Sequence, residues 1–192
     1  YGMEAYALGR TLDVSQKEAQ VLVDGYLDGF PQLKEWRERS REEVKANGKI
    51  SNYVGRVRHL PRVKKTFAKF GDRMMDWRFR KELEPQYGKE QVMKAYRDYR
   101  NGLNNCLNFQ LQSLAAAVVN RAALAINRKA EEMGIDAKVQ AQVHDQLIIN
   151  IREDQAEEFA PIVQHLMEVT TKLPGVTLKA PPEIAVNWKE GH

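Results

Sequence analysis

Two residues with chemical potential, His144 and Asp145, lie side by side between two apolar runs, residues 138–143 and 146–151. The alternation and length of these runs predict two strands that meet at a tight turn. A carboxylate at such a turn is held on a rigid element, and its oxygens suit a hard cation such as Mg²⁺. Aspartate is also an ordinary turn residue, because its side chain hydrogen-bonds to nearby backbone. Alone it makes a poor metal site, since Mg²⁺ needs a second anionic ligand from elsewhere in the fold or from a substrate.

The first half of the chain carries clear signals for helix ends. Ser15 and Glu18 predict a capping box at the start of one helix. A second helix is expected from Pro31 to about Asn47, with Gly48 as its stop. Residues 50–60 alternate and contain a glycine, which predicts a short hairpin.

The middle of the chain is also predicted to be helical. Residues 62–100 are strongly charged, and a helical pattern continues over 91–133 with a bend expected near Gly102. The centre of that stretch, residues 114–126, is nearly continuously apolar and is expected to be the most buried helix.

After the predicted strand pair, Asp154 and Glu157 are expected to cap a further helix that ends near Leu173. A last strand is predicted over residues 183–188. The predicted fold class is therefore α+β, mostly helical with a small antiparallel sheet.

The charge of the chain is concentrated in its middle. The net charge is +4, but residues 34–100 contain 20 Lys and Arg against 10 Asp and Glu. The two flanks, 1–33 and 101–192, are both acidic. A positive segment favours contact with phosphate, because neutralising phosphates releases counterions. The alternative is an ordinary solvated helical surface.

Composition bounds the function classes further. No apolar run approaches the roughly 20 residues of a membrane helix, and no secretory segment is visible. The single Cys106 excludes an internal disulfide and fits a reducing compartment. The first residue is Tyr1 and not Met, so the chain is expected to be a piece of a longer or processed protein.

Six sequence features, in order, resemble the family A DNA polymerases. The sequence VHD at a strand turn resembles motif C of that family. The other five are the motif B ending at Tyr1-Gly2-Met3, two fingers helices in SQKEAQVLVDGYLDGFPQLKEW, the hairpin GRVRHLP, the palm-helix pair Asn108 and Gln112, and the carboxyl end with Asn187-Trp188 and His192.

This resemblance implies a fold and an activity. Residues 1–48 would belong to the fingers and residues 49–192 to the palm of a right-hand polymerase, with a basic insertion at about 63–99. The implied reaction is nucleotidyl transfer from a dNTP to a primer 3′-hydroxyl with two Mg²⁺ ions. Asp145 would be the catalytic, metal-binding carboxylate that this chain supplies. The other carboxylate, in motif A, and the triphosphate-binding residues of motif B would lie in the N-terminal remainder, so the chain alone is expected to be inactive.

The resemblance also implies residues that contact primer–template DNA. His144 would approach the primer-terminal backbone, or it is a packed turn histidine. Asn108 and Gln112, one helical turn apart, would contact the minor groove, or they form an ordinary polar stripe. Tyr1 would stack near the templating base.

Arg56 and Arg58 of the hairpin either bind DNA phosphates or are ordinary surface residues.

Three departures from the family are visible. Gln146 stands near the metals where most members have Glu, and activity is expected to survive because Asp145 remains. Asn104 stands where bacterial members have Arg, and Arg100, one turn earlier, is the expected substitute. The basic segment 63–99 is longer than its bacterial counterpart. Its cations and aromatics suggest an extra DNA or partner contact by phosphate binding and stacking, against a surface helical hairpin that buries its own aromatics.

The sequence is also compatible with other functions. A single-subunit RNA polymerase shares the palm, and a non-catalytic DNA-binding subunit would share the fold. A metal-dependent phosphohydrolase would need more His and Asp ligands than His59, His165 and His192 offer. No membrane partner is expected. The expected location is the cytoplasm of a bacterial or virus-infected cell, or an organelle.

Overall fold

The computed structural model describes residues 5–190, and most of them are helical. The two hairpins that it contains are antiparallel and have two strands each. In chain order the elements are α1 Ala5–Leu12, α2 Gln16–Asp28, α3 Pro31–Asn47, β1 Lys49–Ser51, β2 Val57–His59, α4 Pro61–Phe70, a 3₁₀ turn Gly71–Met75, α5 Trp77–Tyr87, α6 Lys89–Met133, β3 Ala137–Val143, β4 Gln146–Ile151 and α7 Glu153–Val169. The predicted fold class, mostly helical α+β with a small antiparallel sheet, is confirmed.

The chain forms two compact units, which divide within α6 between Gln112 and Ser113. The predicted assignment of residues 1–48 to fingers and 49–192 to palm concerns a larger polymerase and stays a prediction.

The local signals at the first helices act as predicted. The Ser15 side chain accepts from the Glu18 backbone N–H, and the Glu18 carboxylate accepts from the Ser15 backbone N–H at 2.9 Å. The Ser15 hydroxyl also donates to the Glu18 carboxylate at 2.7 Å, and this hydrogen bond together with the one from the Ser15 backbone N–H lowers the pKa of Glu18. Gly48 ends α3 in the left-handed region with φ 69°, a conformation that glycine adopts without strain. The chain then enters the predicted hairpin, in which Ile50 pairs with Arg58.

The first unit is built on a core from α3, β1, α4 and α6. Its fully buried side chains include Val44, Ile50, Val63 and Tyr99. These residues share one feature, an apolar surface that faces inward from four different elements. Burial of apolar surface stabilises a fold by about 25 cal/mol per Å². The burial of these side chains therefore holds the charged middle of the chain to the long helix.

A polar network crosses the edge of this core. Lys45 Nζ donates to Glu42 and, at 2.8 Å, to Asp72, while the Tyr99 hydroxyl donates to Asp72 at 2.8 Å. Partial burial of Asp72 opposes its charge, but the hydrogen bonds from Lys45 and Tyr99 outweigh it and hold its pKa below the ordinary value. Burial, reinforced by the Asp72 carboxylate, raises the pKa of Tyr99. The network joins the turn after α4 to α3 and α6.

The second unit packs the strand pair β3–β4 against two helices. Ile126 and Ala130 of α6, Ala137 of β3 and Phe159 of α7 are its buried residues. The apolar side chains of β4 cover them from one side. The strand pair predicted around His144 and Asp145 is therefore confirmed, and one of its faces is anchored.

The predictions for the start and the end of the helix after β4 are both wrong. α7 begins after Arg152 without a side-chain cap and ends at Val169, four residues before Leu173. Asp154 does not cap it, because its carboxylate is paired with Arg152 at 2.7 Å.

The predicted strand over residues 183–188 is absent from the part of the chain that the structure describes. Pro181 and Pro182 precede it and lack the N–H groups that a sheet ladder needs. This segment is tied to α7 instead, where the Ala180 N–H donates to Glu168.

The long helix α6 also departs from the prediction. It continues through Gly102 as one helix, and the bend predicted there stays a prediction. Its apolar centre, residues 114–126, is not the most buried helix, because Leu124 is 58% exposed. The neighbouring elements of the second unit cover only part of this apolar stretch. Length and composition alone would allow α6 to cross a membrane, a test that the core helix of a globular protein also passes. The expectation of no membrane partner stays a prediction.

Candidate functional site

The turn that joins β3 and β4 consists of His144 and Asp145, both exposed. Val143 pairs with Gln146 directly below it, so the connection is a two-residue hairpin loop. His144 has φ 54°, a conformation that usually selects glycine or asparagine in such loops. A non-glycine residue held there costs roughly 1–3 kcal/mol, and such strain clusters at functional sites. The chain therefore accepts strain at His144 in order to present Asp145 from a tight turn.

Two amides that the sequence analysis missed support this turn. Gln142 Nε2 donates to the His144 carbonyl oxygen at 3.2 Å. Further down, β3 carries an irregularity between Val139 and Ala141, where the strand register shifts. The Asn127 side chain of α6 accepts a hydrogen bond from the Val139 N–H at 3.1 Å. That backbone N–H thus has a partner at the point where the strand pairing is irregular. The sequence signal for Asn127 was its place directly after the apolar run that ends at Ile126.

A cavity of about 580 Å³ lies beside the turn within the second unit. Asp145 and Gln146 contribute to its wall, and the other charged residues are Lys179 and Glu183 from the segment after α7. Apolar side chains of β4 and α7 form most of the remaining wall. The Asp145 carboxylate is thus open to solvent and adjoins a concave surface, as a ligand-binding group requires.

The metal chemistry of the turn is incomplete in this chain. Within residues 5–190, no group of three or more His, Cys, Asp or Glu side chains is placed to hold a metal ion. Asp145 offers a hard carboxylate oxygen of the type that Mg²⁺ prefers, and Gln146 offers an uncharged one. The described residues therefore fit one ligand of a magnesium site and not a whole site.

The other predicted DNA-binding residues belong to the first unit. Asn108 is half-buried and Gln112 exposed on α6, one turn apart as predicted. Arg58 of β2 places its guanidinium 5.9 Å from the ring of Phe109, which adjoins Asn108 in sequence. The hairpin and this part of the helix therefore form one surface. Arg56 is exposed on the same hairpin, where its backbone N–H donates to Asn52.

Asn104 contacts an arginine from another helix, and the predicted substitution by Arg100 stays a prediction. Arg100 is held on Tyr96, with its guanidinium 5.5 Å from the ring. Arg41 of α3 instead donates to the Asn104 side-chain oxygen at 3.3 Å. The guanidinium beside Asn104 thus comes from a separate helix, which no spacing within α6 could have indicated. Tyr1 lies outside the described residues, so its predicted role stays a prediction.

Cys106 takes no part in this chemistry. Its thiol is buried in the core of the first unit, and burial raises its pKa to about 11. Such a thiol is neither a metal ligand nor a nucleophile at neutral pH.

Comparisons of the sequence with known proteins find DNA polymerases. A family model described as DNA polymerase family A matches residues 1–190. DNA polymerase I of Pseudomonas aeruginosa is 28% identical over 192 residues, which is 100% of this chain and 18% of that protein. The thermostable DNA polymerase I of Thermus aquaticus is 27% identical over 188 residues, or 98% of this chain and 19% of that protein. The chain therefore spans less than a fifth of the length of these relatives.

A solved structure shares the fold. The POL domain of Pol1 from M. smegmatis, in complex with DNA primer-template and dNTP, superposes with a TM-score of 0.68. The match covers 90% of this chain and 26% of that chain at 23% sequence identity. At this identity the likeness establishes the fold alone.

Proposed function

This chain belongs to DNA polymerase family A, and we propose from this that it forms the carboxyl-terminal part of a DNA-directed DNA polymerase. The complete polymerase, meaning this chain together with the remainder found in its relatives, would transfer nucleotides from dNTPs to the 3′-hydroxyl of a primer on a template. The observation that carries the proposal is the presentation of Asp145 from a strained, two-residue turn, in a chain that matches the family along almost its whole length.

Asp145 is the residue of this chain that would act at the reacting atoms. Its exposed carboxylate would hold divalent metal in common with a carboxylate of the remainder, since one carboxylate cannot complete a magnesium site. When bound, two such ions stabilise the attacking 3′-oxygen and the leaving phosphate. His144 would contact the primer-terminal backbone, and Gln146 would lie close to the metals without adding charge. Because the second carboxylate is supplied elsewhere, the chain alone would not polymerise DNA.

The first unit would position the duplex. Asn108 and Gln112 present amides along one face of α6, and amides can bond the minor-groove acceptors that all base pairs offer. Arg56 and Arg58 would add phosphate contacts from the adjacent hairpin. These contacts would report the shape of the duplex without reading its sequence. The compartment would be that of the DNA, namely the cytoplasm of a bacterial or virus-infected cell, or an organelle.

Primer extension by the complete polymerase with Mg²⁺ tests this function. Asp145→Asn removes one negative charge at constant size, and we expect extension with dNTPs to be lost by several orders of magnitude. Asp136→Asn, at the opposite end of β3, makes the same charge change on the same hairpin and should extend normally. Unaltered extension by Asp145→Asn would remove this residue from the mechanism.

Offering rNTPs in the same assay separates the rival polymerase. Preferential extension with rNTPs would identify a single-subunit RNA polymerase. Duplex binding without extension of either kind by the wild type would identify a non-catalytic DNA-binding subunit.

A further inference from the structure

Helix α4 presents a face made only of cations and small residues. Its inward residues, Val63, Thr66, Phe67 and Phe70, pack on the first unit. The exposed positions carry Arg62, Lys64, Lys65 and Lys69, and the ten residues of the helix contain no acid. Arg62 is paired with Asp98 at 3.0 Å. The remaining three, Lys64, Lys65 and Lys69, are here called the α4 lysines.

The position of Lys64 and Lys65 disfavours the folded chain, whereas Lys69 lies in the last turn of α4, where the helix dipole favours a cation. Lys64 closes the first turn of α4, where the helix dipole disfavours positive charge, and Lys65 follows it directly. Among the described residues neither lysine has an ion-pair partner, and adjacent like charges repel. Surface cations placed against a local rule and without compensation are expected where function requires them.

The acids nearby do not neutralise this face. Residues 61–100 contain 12 Lys and Arg against 6 Asp and Glu. Five of the acids have other partners: Asp72 with Lys45, Asp76 with the Arg78 N–H, Glu82 with Arg73, Glu84 with Lys81 and Asp98 with Arg62. The excess positive charge is therefore unpaired at the surface, where it can attract a polyanion.

Three aromatic rings of this segment are covered by cations, which argues against base stacking on them. Lys69 Nζ lies 4.1 Å from the centre of the Tyr87 ring. Guanidinium groups cover two further rings, Arg73 on Phe79 at 4.0 Å and Arg80 on Tyr96 at 3.9 Å. The stacking part of the sequence hypothesis fails for these rings, although Trp77 is 61% exposed. Contact through phosphate remains.

The α4 lysines continue the hairpin that carries Arg58. Gly48, at the start of the hairpin, lies so close to Lys64 that an added Cβ would be 3.2 Å from the Lys64 Cβ. The Leu60 N–H also donates to the Gly48 carbonyl, which fixes α4 against the hairpin.

We propose that Lys64, Lys65 and Lys69 form a sequence-independent binding surface for the sugar–phosphate backbone of duplex DNA, which extends the hairpin contact. This proposal rests on the proposed function, because it needs duplex DNA at the hairpin. It adds a phosphate-binding site on the long basic segment, away from the groove contacts of α6.

The test is the salt dependence of primer–template binding by the complete polymerase. In Lys64→Ala/Lys65→Ala/Lys69→Ala, three lost phosphate contacts should reduce the slope of log K against log salt by about 2.7, at ~0.9 per phosphate. Between 50 and 200 mM salt, the advantage of the wild type over this variant would then shrink about forty-fold. Because Lys69→Ala also removes the cation above the Tyr87 ring, binding is compared at a temperature at which thermal melts show both proteins folded, so that lost binding does not reflect unfolding.

A matched control is Lys89→Ala/Lys94→Ala/Arg97→Ala, which removes three exposed cations from the start of α6 in the same segment. Its slope should stay close to that of the wild type. An unchanged slope in the α4 variant, or an equal reduction of the slope in both variants, would overturn the proposal. Normal primer extension in the same proteins would leave the proposed function intact. Absence of duplex binding and extension in the wild type would instead overturn the proposed function and the proposal together.

Discussion

Gly102 lies where α6 crosses α4, and the structure gives it a packing role that can be measured. A Cβ at this position would overlap the Cγ2 methyl of Val63, whose side chain is 1% exposed. The Val63 methyl is branched at Cβ and has no free rotamer into which to retreat. The glycine therefore permits close packing of the two helices.

The magnitude for Gly102→Ala follows from two opposing effects. Alanine in a helix interior gains about 1 kcal/mol over glycine. Overpacking a rigid core costs about 1–3 kcal/mol. We expect a net loss of up to about 2 kcal/mol in the free energy of unfolding, although alanine is the better helix former.

A double-mutant cycle isolates the contact. Val63→Ala alone should destabilise the chain by about 2–3 kcal/mol, because it removes two buried methyl groups and leaves a cavity. Combined with Gly102→Ala, the new methyl should occupy part of that cavity and recover about 1–2 kcal/mol of coupling energy. Urea unfolding followed by circular dichroism measures all four corners. Additive effects within about 0.5 kcal/mol would refute the close contact, and stabilisation by Gly102→Ala alone would do the same.

Three further predictions concern single side chains. Ser15→Ala removes the cap of α2 and should lower the free energy of unfolding by about 1 kcal/mol in urea titrations, whereas Ser15→Asn should retain most of it. The depressed pKa of Asp72 means that its pairing with Lys45 and Tyr99 stabilises the fold above the ordinary pKa of 3.8 and is lost as pH falls below it; Asp72→Asn should thus be less stable at pH 7, with a deficit that vanishes in acid unfolding experiments. His144→Gly should relieve turn strain of about 1 kcal/mol or more, partly offset by glycine entropy, and should slow primer extension; a less stable hairpin in thermal scans would contradict the strain.

The elements that sequence reasoning predicted correctly are those specified by nearby residues. Ser15 and Glu18 are three residues apart, and the hydrogen bonds that they make are complete within one turn of helix. The β3–β4 pair needs only two alternating runs and a two-residue loop between them. Such features depend on local backbone geometry, which a short window of sequence determines.

The failures involve partners distant in sequence. Residues 183–188 have a strand-like alternation, but a strand requires a neighbour, and alternation does not specify one. Leu124 was expected to be buried from the apolarity of its surroundings, whereas burial depends on which helices cover each face. The close packing at Gly102 was not predicted for the same reason, since Val63 is its partner from another helix. Arg41 beside Asn104 joins residues 63 positions apart, beyond any local pattern.

Two of the places where the described chain departs from favourable local chemistry lie on the two surfaces to which we assign function, whereas Asp13, with φ 55°, lies outside both. His144 adopts a positive φ that glycine would adopt without steric strain, and Lys64 and Lys65 are adjacent cations without an ion-pair partner among the described residues. A sequence selected for stability alone would have relieved both, since a single substitution suffices at each residue. Their retention is explained if the turn must hold Asp145 in place and if the helix must attract a polyanion. Stabilising substitutions at both places should therefore lower activity or DNA binding as they raise the thermal midpoint, and it is this opposition that separates a functional role from a merely tolerated defect.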